Sequence, residues 1–113
     1  MTTEEQLDQW LVTLRSGKYK QGTRTLLSVF GHVKSYCCLG VLCDVIDPKS
    51  WDIYEMWRGK NGTLPIGVLN TTNGHFHCDY KGQSTSLIDL NDKYGLTFDQ
   101  IAGVIEYYWE QLI

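Results

Sequence analysis

Leu7, Trp10, Leu11 and Leu14 recur at i, i+3, i+4 and i+7, which predicts an amphipathic helix at the start of the chain. Thr2 or Thr3 supplies the cap, Glu5 or Gln6 completes a capping box, and Gly17 stands where a helix ends. Leu26, Leu27, Val29 and Phe30 return to apolar character as a short strand or helical turn, broken by Gly31-His32. The run Tyr36-Cys37-Cys38-Leu39-Gly40-Val41-Leu42-Cys43-Asp44 is apolar on more than one face and predicts a central core helix. A glycine inside a helix costs about 1 kcal/mol relative to alanine, so Gly40 implies an element packed close against it. Asp47-Pro48 closes that segment, because the residue before proline avoids the α region.

Periodicity weakens after that. Residues 49–74 read as irregular, with Tyr54, Trp57 and Arg58 as one side of a short helix and Asn70 to Gly74 as a turn. His75 to Tyr80 alternates like a strand, with Phe76, Cys78 and Tyr80 on one side and Lys81-Gly82 at its end. Ser84 to Ser86 is expected to cap a short helix carrying Leu87, Ile88, Leu90 and Tyr94, stopped by Gly95. Thr97-x-x-Gln100 is a second capping box, opening a helix with Phe98, Ile101, Ala102, Ile105, Trp109 and Leu112 at helical spacing. The expected fold is α+β: one small, mostly helical domain spanning residues 1–113, with a short β-hairpin or small antiparallel sheet.

Composition narrows the class. An apolar fraction of 42% and a charged fraction of 20% are those of a folded globular domain, not a disordered chain. The acidic start, Met1-Thr2-Thr3-Glu4-Glu5, is unlike a secretory leader, so a cytoplasmic location with reduced thiols is expected, and no membrane partner. The net charge of −3 is segregated: residues 15–34 carry Arg15, Lys18, Lys20, Arg24 and Lys34 and no acid. A local basic patch on an acidic protein suits a small anion better than duplex nucleic acid.

Four candidate chemistries follow. Lys18-Tyr19-Lys20-Gln21-Gly22-Thr23-Arg24 has the composition of a recognition loop, with cations for an anion and a ring for stacking, but it lacks the full P-loop pattern. Cys37, Cys38, Cys43, Cys78, His75 and His77 are possible metal ligands, yet their spacing is poor. At about 100° per helical residue, Cys37 and Cys43 point about 120° apart. No metal and no cofactor are therefore expected. A thiol nucleophile at Cys37 or Cys38, with His75 or His77 as base and Asp79 as orienter, follows the order of papain-like hydrolases without their local signatures. Asn91 and Asp92 either bind a ligand or cap the turn into the last helix.

Leu14-Arg15-Ser16-Gly17, Tyr19-x-Gln21-Gly22, the Tyr36-to-Asp44 run, and Leu90-Asn91-Asp92 followed by Thr97-Phe98-x-x-Ile101-Ala102 resemble a set of small proteins common in bacteriophage genomes. The resemblance implies an accessory factor acting on a host and carries no established activity. The expected function is non-catalytic: sequestering a nucleotide-derived anionic signal, a cyclic nucleotide or a cyclic ADP-ribose isomer, in a homo-oligomer. Its ligand residues are Lys18, Tyr19, Lys20, Gln21, Gly22, Thr23, Arg24, Tyr36, Asn91 and Asp92. The alternative is an inhibitor that covers a host defence enzyme or nuclease, anchored through the aromatic 51–58 region and Trp57 in particular; a cysteine hydrolase is the third reading.

Overall fold

The computed structural model describes residues 2–59 and 77–108. In chain order these form α1 (Thr3–Arg15), β1 (Leu27–Phe30), β2 (Val33–Tyr36), α2 (Cys38–Ile46), a 3₁₀ turn (Pro48–Ser50), β3 (His77–Tyr80), β4 (Gln83–Ser86), α3 (Leu87–Asp92) and α4 (Phe98–Tyr107). The fold is α+β: four helices and two small antiparallel hairpins among the described residues.

α1 packs against α2 and α4, and α2 also packs on α3. Leu7, Trp10 and Leu14 of α1 meet Leu39 and Leu42 of α2 and Ile101 and Ile105 of α4 in one core. Each such side chain contributes about 1.5–3 kcal/mol by leaving water. Trp10 is buried whole, and its Nε1–H donates to the Cys38 carbonyl at 2.8 Å, so burying the indole leaves no donor unpaired. Both predicted capping boxes are present, Thr2 with Glu5 and Thr97 with Gln100.

The central run divides. Tyr36 ends β2, Cys37 is the N-cap, and α2 begins at Cys38. Residues Cys38 to Cys43 are all buried, as the all-round apolarity implied. Gly40 has the predicted reason: a Cβ there would collide with the Leu26 carbonyl oxygen. The chain before β1 lies directly on the helix, and only a glycine permits that approach.

Some expectations are sharpened and others corrected. Of the two forms expected for the Leu26 to Phe30 piece, Leu27–Phe30 takes the strand, with Gly31 at φ 65° as first residue of the two-residue turn into β2. Ser84 lies within β4; the cap of α3 is Ser86, whose Oγ accepts from the Asp89 N–H at 3.2 Å. Lys81-Gly82 ends β3 as expected and also turns the chain into β4, with φ of 51° and 81° at its two positions, the type I′ signature. Gln83-Ser84-Thr85 has little strand propensity of its own and takes that form by pairing with β3. Tyr54, Trp57 and Arg58 are not on a helix: the segment turns back on itself, with Trp51 bridged antiparallel to Trp57. Trp57 is fully buried, its Nε1–H donating to the Asp47 carbonyl at 2.9 Å, so it is no surface anchor. The expected turn at Asn70 to Gly74, the strand start at His75 and Phe76, and Trp109 and Leu112 lie outside the described residues.

Candidate binding face

The 18–24 loop is fastened at both ends of its middle. Beside Tyr36, the Gly22 N–H donates to the Tyr36 carbonyl and the Tyr36 N–H to the Lys20 carbonyl, each at 2.8 Å, so the loop adds a parallel bridge to β2. Gly22 crosses so near β2 that a Cβ would stand 2.7 Å from Ser35 Oγ. Gln21 turns inward, its Nε2 donating to Asn91 Oδ1 at 2.8 Å and to the Leu96 carbonyl at 2.7 Å. Asn91, only 1% exposed, also accepts from the Cys38 N–H at 3.2 Å and donates to the Gly22 carbonyl and Asp92 Oδ1, both at 2.8 Å.

One amide therefore ties the loop, the start of α2 and the end of α3 together. Of the ten predicted ligand residues, Gln21, Gly22, Asn91 and Asp92 spend polar groups on this tie. Lys18, Lys20, Thr23 and Arg24 stay exposed, with Arg24 in a left-handed conformation at φ 75°. Tyr19 and Tyr36 turn the other way, toward Asp44. No periodicity signals the Gln21–Asn91 pairing, because the partners stand 70 positions apart.

On that other side three rings form a continuous run. Tyr19 meets Tyr36 edge-on with centroids 4.9 Å apart, and Tyr36 meets Trp51 at 6.0 Å. Asp44 sits among them, accepting from the Tyr19 hydroxyl and from Trp51 Nε1–H, the latter at 3.0 Å. Burial, then the hydrogen bond and charge of Asp44, push the Tyr19 hydroxyl well above its ordinary pKa. Burial and the Asp44 charge raise Tyr36 as well.

Tyr36 and Trp51 floor a cleft of about 600 Å³ between the β1–β2 hairpin and the 48–55 turn. Register explains the hairpin's share: Leu27 opposes Tyr36 and Val29 opposes Lys34, so these four side chains stand on one face. Pro48, Ile53, Asp44, Asp52 and Glu55 complete the lining. Phe30, Ile53 and Tyr54 stand out into solvent around the hairpin tip and the turn, at 88%, 88% and 72% exposure. Of the ten predicted residues only Tyr36 lines this cleft. Trp51 and Ile53 come from the 51–58 region expected to anchor a partner, while the hairpin's members were missed because periodicity did not bring hairpin and turn together.

The thiols are buried. Cys37 Sγ caps α2 by accepting the Gly40 N–H at 3.4 Å. Backbone N–H groups at the helix start favour the thiolate there, but burial outweighs them and pushes Cys37 up to about 11. Burial raises Cys38, Cys43 and Cys78 as well. Among the described residues no group of three metal-ligating side chains comes together, and no helix is long and apolar enough to cross a membrane. His75 and the His77 side chain, the expected bases, lie outside the described residues.

No curated protein and no solved structure matches this chain. A family model does match, over residues 2–63, a span that holds α1, the 18–24 loop, the first hairpin, α2 and the whole lining of the cleft. Asn91 and Asp92 fall beyond it. Through more than half of its length, the chain belongs to the family DUF8296, a domain of unknown function.

Proposed function

We propose that the chain acts by binding rather than catalysis, as an accessory protein of bacteriophage type that covers a host defence enzyme or nuclease. The observation that carries this reading is a cleft with an aromatic floor whose lining includes exposed apolar side chains, Val29 at 36% and Ile53 at 88% exposure. Large exposed side chains grouped beside a pocket are what interface anchors look like, whereas singly scattered ones are ordinary surface. The raised thiols supply no ready nucleophile. The test is capture from host lysate, comparing the wild-type chain with a Val29→Ser, Ile53→Ser variant of equal thermal stability. Retention of one defined protein at fixed stoichiometry by the wild type alone supports the reading; equal retention by both, or by neither, removes it.

A second reading rests on a different observation. Lys18, Lys20 and Arg24 are exposed on the 18–24 loop and have no ion-pair partner among the described residues. That arrangement suits a nucleotide-derived anion, sequestered in the cytoplasm and enclosed between protomers of a homo-oligomer. It predicts a saturable thermal shift with a cyclic nucleotide or an ADP-ribose derivative, lost in Lys20→Glu, Arg24→Glu. A flat response across that panel at micromolar protein ends it.

A further inference from the structure

The cleft carries a charge that its rim does not. Asp44, Asp52 and Glu55 face it against the single cation Lys34, and none of these four forms an ion pair among the described residues. Two of the carboxylates hold the walls in place. Asp44 orients the Trp51 indole and the Tyr19 hydroxyl, and Asp52 Oδ1 accepts from the Tyr54 and Met56 N–H groups at 2.8 and 3.1 Å. Glu55 does neither: its side chain has no partner among the described residues, and its backbone sits at φ 62°, where a side chain is disfavoured. Three carboxylates against one ammonium leave the lining with a net negative charge, which disfavours an anionic occupant and favours a cationic one.

We propose that this cleft receives an arginine side chain of the partner protein, flanked there by apolar residues. The inference rests on the partner-covering reading and adds what the partner presents. Among biological cations the guanidinium is flat, weakly hydrated and able to stack on the half-buried Trp51 while its fork of N–H groups meets a carboxylate. An ammonium has no such plane or fork. The hollow of about 600 Å³ is larger than one side chain needs, and Leu27, Val29 and Ile53 give its walls apolar surface for the arginine's neighbours. Arginine is also among the residues that most often anchor interfaces.

Three blocked tripeptides test this, Leu-X-Leu with X as arginine, its neutral isostere citrulline, or glutamate. Each is titrated against the full chain while the Trp51 indole N–H resonance is followed. The arginine peptide is expected to bind about tenfold tighter than the citrulline peptide. Glu55→Gln should weaken it severalfold and Lys34→Glu should tighten it, neither altering the thermal midpoint appreciably. Equal binding of the arginine and citrulline peptides leaves an apolar occupant, tighter binding of the glutamate peptide leaves an anionic one, and no saturable shift leaves none; each overturns the assignment. Lysate capture that ignores the Val29 and Ile53 substitutions instead removes the partner reading, and the peptides alone then decide whether the cleft takes a guanidinium.

Discussion

The two polar regions of this molecule use similar chemistry to opposite ends. Around Asn91, one buried amide makes four hydrogen bonds to Gln21, Cys38, Gly22 and Asp92. Around the cleft, Glu55 stands on an open face without a partner among the described residues, beside apolar side chains that water still covers. A buried polar group that lost its partners would cost its full desolvation, so the first region is architecture and cannot vary alone. A half-buried carboxylate that water still reaches costs less where it stands, so the second region is free to serve recognition. Polar residues are therefore informative through how completely they are satisfied, not through their type.

Breaking the buried tie should have the largest effect. Asn91→Leu strands the Cys38 N–H and the Gly22 carbonyl and takes one of two acceptors from the Gln21 amide, and should cost about 4 kcal/mol in urea unfolding. If the loss is below about 1 kcal/mol, water replaces the amide and the region is less closed than described here. Gly40→Ala forces a methyl group against the Leu26 carbonyl, and a loss of about 3 kcal/mol is expected by the same measurement.

The buried thiols give a pH-dependent test. Cys37, Cys38 and Cys43 have raised folded-state values, so the unfolded chain loses their protons first. Folding stability is thus fully present below pH 9 and falls as pH rises from 9 toward 11, by about 1 kcal/mol per thiol between pH 9 and 10. Cys37→Ser keeps a good helix cap and should flatten that slope by one thiol's share. A slope unchanged by the substitution would mean that Cys37 is not buried.

The smallest effect belongs to the open face. Glu55→Gly relieves a left-handed conformation and should raise stability by about 1 kcal/mol, read as a higher thermal midpoint. The same change should weaken whatever the cleft binds. A gain in stability with no loss of binding would place Glu55 outside the recognition surface and erase the contrast between the regions.

Much of the fold is legible in the chain. α1 and α4 carry both a helical apolar stripe and a capping box, two local signals that agree, and both form as expected. α2 is legible because all-round apolarity leaves only a buried helix, and Gly40 even signals the close neighbour. β4 is not legible, since its polar residues owe their strand form to β3. Nor is the turn around Trp57, where burial against Asp47 overrides a spacing that resembles a helix.

The candidate site divides the same way. Sequence alone determined that cations cluster in residues 15–34 and that Tyr36 opens the apolar run, because charge and hydropathy are properties of the residues themselves. Only the tertiary structure decided that Gln21 and Asn91 face inward, that Trp57 is core, and that Tyr36 and Trp51 floor a cleft ringed by carboxylates. Those outcomes depend on which distant groups satisfy a hydrogen bond or cover a ring, and linear order does not encode that pairing. Tyr36 belongs to both accounts: a position conspicuous in the chain, whose neighbours the fold alone chose.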